Sequence, residues 1–146
     1  MKPFSMHAVL KFRKQLEDNA RQQLYQALEL EARLLEATMQ TEEALSALSR
    51  DAQHDKEQGT SIDRLLLFEY SIDLVKQQLE EQKSELEKQR VQVSIKRQQL
   101  VKASKDRKVM DKLKEQQNAA YAKFLDKKEM AMLDEIAVLS HERNRR

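Results

Sequence analysis

Gln58-Gly59-Thr60-Ser61 is the stretch that decides how this 146-residue chain folds. Gly59 is the only glycine and Pro3 the only proline. A glycine suits the position just past a helix C-terminus, where φ is often positive. Thr60 followed by Asp63 fits a capping-box-like helix start, with Thr60 or Ser61 as N-cap. Working outward, the signals predict a first helix over 5–57, a turn at 58–61, a second helix over 61–140 and a frayed basic tail at 141–146. Pro3 is tolerated near the first turn of the first helix. The expected fold class is all-α: two long helices in an intramolecular antiparallel coiled-coil hairpin, the second helix longer, as a single domain over 1–146.

Composition agrees. Charged residues make up 36%, aromatics 5%, and the 40% apolar fraction is mostly Leu, Ala and Val. With so few turn-formers, a β-sandwich or α/β fold could not make its turns, and the mixture is that of a long helix or coiled coil. Without cysteine there is no disulfide framework and no thiolate metal site. No run of about 18 apolar residues exists to span a bilayer. Residues 1–7 lack the apolar region of a signal peptide, so the cytoplasm is the expected compartment.

The second helix carries an apolar residue every seventh position: Leu65, Ile72, Leu79, Leu86, Val93 and Leu100. A strict seven-residue period implies a left-handed supercoil. The companion positions are Phe68, Val75, Gln82, Gln89, Lys96, Ala103 and Met110. The first helix has Ala20, Ala27, Leu34, Thr41 and Leu48 at the same period, with Leu10, Glu17, Leu24, Glu31, Thr38, Leu45 and Ala52 as its second set. Folding the chain back at Thr60 pairs residues whose numbers add to 120. Leu48 then faces Ile72, Thr41 faces Leu79, Leu34 faces Leu86, Ala27 faces Val93 and Ala20 faces Leu100. The second set pairs Ala52 with Phe68, Leu45 with Val75, Thr38 with Gln82, Glu31 with Gln89, and Leu10 with Met110. Two ladders agreeing on one turn argue for a hairpin; the alternative is an extended chain pairing with another molecule. The polar layers Thr38/Gln82 and Glu31/Gln89 cost stability but help fix the register.

At 1.5 Å per residue the helices measure roughly 75 and 120 Å. In this register, residues beyond about Leu113 have no partner, yet they include Leu113, Tyr121, Phe124, Leu125, Met132, Leu133 and Ile136. A helix with one bare apolar side is marginal alone in water, so a protein partner or a second copy is expected there. Near the turn, Leu65, Phe68, Ile72 and Val75 belong to the seam, with Leu66 at its flank. Leu67, Tyr70 and Leu74 lie at i, i+3 and i+7 on the opposite side, which suggests a docking surface. A broader core at the tip is the competing explanation.

Catalytic signals are absent. One glycine cannot build a phosphate-cradling loop. His7, His54 and His141 are scattered, with no metal-binding spacing. A two-helix hairpin offers no cleft to shift carboxylate pKa values. No enzyme activity, cofactor, metal or small-molecule substrate is expected. Charge is more informative. Residues 88–114 hold ten basic residues (Lys88, Arg90, Lys96, Arg97, Lys102, Lys105, Arg107, Lys108, Lys112 and Lys114) against Asp106 and Asp111. Such a block attracts an acidic partner in a salt-dependent way, unless it is simply a solvated helix face. A basic helix without a DNA-reading fold is a weak case for nucleic acid, and none is expected.

Three places carry a family likeness. The first is Phe4 followed by Val9-Leu10-Lys11-Phe12-Arg13-Lys14. The second is Arg107-Lys108-Val109-Met110-Asp111-Lys112-Leu113-Lys114-Glu115. The third is Tyr121, then Lys127-Lys128-Glu129 and Leu133-Asp134-Glu135-Ile136-Ala137. In their order and spacing these resemble the FliJ family of flagellar type III export proteins, which has the injectisome stalk proteins as relatives.

The resemblance implies an antiparallel two-helix coiled coil acting as a non-enzymatic stalk or coupling protein in bacterial flagellum biogenesis. Its implied partners are the hexameric flagellar export ATPase, whose assembly it would promote, the membrane export gate protein, and substrate-specific export chaperones. It would be cytoplasmic and peripherally associated with the inner-membrane export apparatus. Carried onto this sequence, Arg107, Lys108, Lys112, Leu113, Lys114 and Tyr121 become candidate ATPase contacts. Leu67, Tyr70 and Leu74 become candidate export-gate contacts, resting on the stripe rather than on a matched motif. The alternatives are a general export chaperone without a ring role, or a structural coiled coil that merely dimerises.

Overall fold

A computed structural model of the chain describes residues 2–145. It contains α1 (His7–Gln58) and α2 (Ile62–Arg145), with no strand among the described residues. The second helix is the longer, at 84 residues against 52. The helices pack against each other as a hairpin, as the heptads require.

The turn uses the residues the sequence marks. Gly59 adopts φ 81°, and its N–H donates to the Lys56 carbonyl at 3.3 Å. That left-handed backbone is open to glycine without a Cβ penalty. Ser61 rather than Thr60 is the N-cap: its Oγ accepts from the Arg64 N–H at 3.2 Å, and its carbonyl accepts from the Leu65 N–H at 3.1 Å. Thr60 serves differently, donating its hydroxyl to Asp55 Oδ2 at 2.9 Å. Arg64 grips the same carboxylate with Nε at 2.8 Å and a second nitrogen at 3.0 Å. These bonds hold the Asp55 carboxyl below its ordinary range, the Arg64 bond contributing most and Thr60 next.

The chain forms two compact units. One is Ala20–Leu100, which contains the turn. Here every heptad position named from sequence on both helices is buried or half-buried. Leu79, Leu86, Val93, Ala27 and Ala52 are the most covered apolar residues. Cross-helix contacts set the register: Arg64 meets Asp55, Lys83 meets Glu42, Gln89 donates to the Ala27 carbonyl at 3.0 Å, and Lys96 donates to Gln23 at 3.2 Å. Each pair adds to within about five of 120, as the ladder requires. The polar layers are also seated. Thr38 and Thr41 are buried and turn their hydroxyls back to the carbonyls of Leu34 and Ala37. Those back-bonds leave the Oε1 of Gln82 buried with no hydrogen-bond partner among the described residues.

The other unit joins the first 19 residues to the chain from Val101 onward. Its apolar cluster is Phe4, Leu10 and Met110, with Leu113 packed against it. Phe4 is 2% exposed, its N–H donates to Asn118 Oδ1 at 3.2 Å, and its ring meets His7 edge-on at 5.0 Å. A residue just before a helix packing on Leu10, one turn in, is staple-like.

Three sequence expectations are corrected. The first helix starts at His7 rather than residue 5, and Pro3 lies in a non-helical lead-in rather than the first turn. That lead-in extends cover on α2 past Leu113: Lys2, Pro3 and Ser5 lie beside Gln117 and Ala120. The helix also does not fray at 141, because α2 continues through His141 to Arg145. No glycine or proline interrupts it, and Arg143 and Arg145 in the last turn complement the negative helix end. Arg146 lies outside the described residues.

Candidate functional site

The unit containing the N-terminus sorts the basic block by face. Lys105, Lys108 and Lys112 are exposed on the side of α2 away from α1. Their spacing of i, i+3 and i+7 is that of one helical face. Val101 and Val109, 52% and 65% exposed, lie within the same stripe. A partner would meet cations flanked by small apolar side chains, suited to an acidic surface with an apolar margin.

Arg107 points the other way. It lies in a seam position of α2, and its Nε donates to Glu17 Oε2 at 2.9 Å. Its NH1 donates to Asp111 Oδ2 at 2.7 Å. The Asp111 and Glu17 hydrogen bonds raise the guanidinium's pKa further above its ordinary value. Glu17 is buried at 7% exposure, so a core position of α1 carries a charge that Arg107 satisfies. Arg13 adds a looser pair with Asp106 at 3.6 Å.

The six candidate residues on this part of α2 therefore divide. Lys108 and Lys112 face outward. Arg107 is engaged with Glu17 and Asp111, Leu113 packs on the Phe4 cluster, and Lys114 is half-buried. Tyr121 is half-buried at the end of the covered stretch, with its ring stacked on Phe124 at 6.5 Å. Lys105, Val101 and Val109 complete the outward face but were not among the candidates singled out in the sequence. Their helical spacing from Lys108 and Lys112 was the available signal.

The unit containing the turn holds the second candidate surface. Leu67, Tyr70 and Leu74 are 65%, 64% and 48% exposed, while Leu65, Phe68, Ile72 and Val75 are half-buried in the seam. Ile62 and Leu66 are exposed as well, at 75% and 57%. Beside them a shallow depression is lined by Leu48, Arg64, Leu67, Phe68 and Ser71. Exposed leucine and tyrosine beside such a groove suit an apolar partner segment.

Among the described residues, no group of three or more His, Asp or Glu side chains is arranged to hold a metal ion. No helix among them is long and apolar enough to cross a membrane.

The family model described as flagellar FliJ protein matches residues 1–146. No curated protein matches in sequence. A solved structure titled "Structure of a putative YscO homolog CT670 from Chlamydia trachomatis" is similar at a TM-score of 0.46 and 19% identity, covering 99% of this chain and 98% of that chain.

Proposed function

This chain belongs to the FliJ family of flagellar proteins, and from that premise we propose that it is a non-enzymatic coupling protein of the type III export apparatus. It binds the hexameric export ATPase and promotes ring assembly. The observation that carries this reading is the outward face of Lys105, Lys108 and Lys112 on the unit built around Phe4, Leu10 and Met110. Those cations have no seam role to fulfil and are presented together. Tyr121, at the edge of the covered stretch and on the seam side of α2, supplies an aromatic contact farther along the helix. The exposed group of Leu67, Tyr70 and Leu74 meets the membrane export gate protein, which places the chain peripherally at the inner membrane. Substrate-specific export chaperones are the remaining class of partner.

The test mixes the full chain with the purified export ATPase and follows ring assembly and ATP turnover. Stimulation by the wild-type chain, lost in Lys108→Glu/Lys112→Glu and retained in Lys76→Glu, is the expected result. No binding and no stimulation by the wild-type chain would remove the ATPase role. The gate contact is tested separately with Tyr70→Ala/Leu74→Ala, which should keep its helicity but reduce secretion and swimming. Wild-type swimming would discard that surface.

A further inference from the structure

Beyond Tyr121 no other described segment covers the second helix, and every described residue from Ala122 to Arg145 is exposed. The exposure is not random. Tyr121 belongs to the seven-residue series that begins at Leu65, and the apolar pattern continues from it through Leu125, Met132, Ile136 and Leu139. Steps of four, seven, four and three put these five on one narrow stripe. The four beyond Tyr121 are 44%, 56%, 58% and 58% exposed. Asp126, Lys127, Asp134 and His141 lie on the opposite side of the helix. The stripe is thus a coiled-coil seam that lacks its second helix.

We propose that the missing helix is the same segment of a second copy, running antiparallel. Three features select that occupant. The first is continuity: the stripe prolongs an interface already built from helix-on-helix packing. The second is length. With Leu125 set opposite Ile136 of the second copy, Ala122 meets Leu139 and Glu129 meets Met132. The apolar pairs then run from Ala122 to Leu139, the length of the exposed stripe, and residues 140–145 of each copy come opposite 116–121 of the other, beside the lead-in of residues 2–5. The third is charge. The same register sets Lys128, at the edge of the stripe, beside Glu135 of the second copy. The two-fold axis makes this pair twice. Neither residue has an opposite charge three or four positions away in its own helix. A parallel arrangement would instead stack Glu129 on Glu129 in the seam, which like-charge repulsion opposes.

Sedimentation equilibrium on the full chain, from about 1 to 200 μM, reads this directly. The wild-type chain should pass from monomer to dimer within that range. Lys128→Glu alone, or Glu135→Lys alone, turns two attractions into two repulsions and should raise the dimer Kd roughly tenfold. The combined Lys128→Glu/Glu135→Lys variant should recover wild-type affinity. Leu125→Asp should leave a monomer, with helicity checked by circular dichroism. A chain that stays monomeric throughout overturns the proposal. So does a dimer whose affinity ignores the single reversals or is not rescued by the double one. None of these residues belongs to the proposed ATPase or gate contacts, so the outcome is independent of them.

Discussion

Replacing Leu86 with alanine removes three carbons from one of the best-covered points of the seam, where the side chain is 5% exposed. At about 0.8 kcal/mol for each buried methylene-sized group, the transfer loss is roughly 2.4 kcal/mol. A cavity term normally adds to this and takes core Leu→Ala changes up to about 5 kcal/mol. Here the seam is one layer deep, and even its best-covered leucines keep a few per cent of their surface in contact with solvent. The void is therefore open, and the cavity term is small. Alanine's better helix propensity returns a few tenths of a kcal/mol. The net expectation is a loss of about 2 kcal/mol. Urea unfolding followed by far-UV circular dichroism measures it, with Leu133→Ala as the reference. Leu133 is 58% exposed on the same helix, and its truncation should change stability by less than about 0.5 kcal/mol. If Leu86→Ala costs no more than Leu133→Ala, Leu86 is not in a helix–helix seam and the register built on it fails.

The orphaned Oε1 of Gln82 predicts the opposite sign: Gln82→Leu should stabilise the chain by about 1–2 kcal/mol, and a loss in the same urea assay would show that the carbonyl is satisfied after all. Asp55, held low by Arg64 and Thr60, contributes stability above the unfolded carboxylate pKa. That contribution disappears as the pH falls below about 4 through the depressed folded value, so hydrogen exchange around the turn should quicken there. Asp55→Asn should remove that acid step, and an unchanged acid profile in the variant would refute the clasp. Phe4→Ala should cost about 3 kcal/mol locally and speed proteolysis of residues 2–10 without affecting the turn; unchanged protease resistance would mean that the lead-in is held by other contacts.

The hairpin was legible because two independent signals coincide. A seven-residue pattern survives over many turns only if a partner helix follows it, and a lone glycine is informative in a chain otherwise free of breakers. Gln82, Gln89 and Thr38 could be placed in the seam from period alone, although their hydroxyl and amide partners could not. Phe4 was missed as a core residue because it precedes the helix and belongs to no period. The signal available was its spacing from Leu10, which fits a staple-like contact across the first turn. The extent of α2 was underestimated because a charged, exposed tail resembles a frayed end. A sequence with no breaker and with arginines at its C-terminus has no reason to stop at 140.

Counting charge along the chain and counting charge offered to a partner gives two different answers. The excess over 88–114 sums every cation, and that sum governs attraction at distances near the Debye length. Docking depends on which cations face outward. Arg107 contributes to the first and not to the second, because Glu17 and Asp111 hold its guanidinium. Glu17 was the clue in the sequence: a carboxylate at a seam position of one helix requires a cation from the other. Reversing Arg107 would leave Glu17 buried against a like charge and open the hairpin, so lost binding in that variant would say nothing about contact. Lys108 and Lys112 carry no such ambiguity, since both are exposed and away from α1. A reversal there changes the surface a partner meets while the seam stays intact, and the resulting loss should shrink as salt is raised.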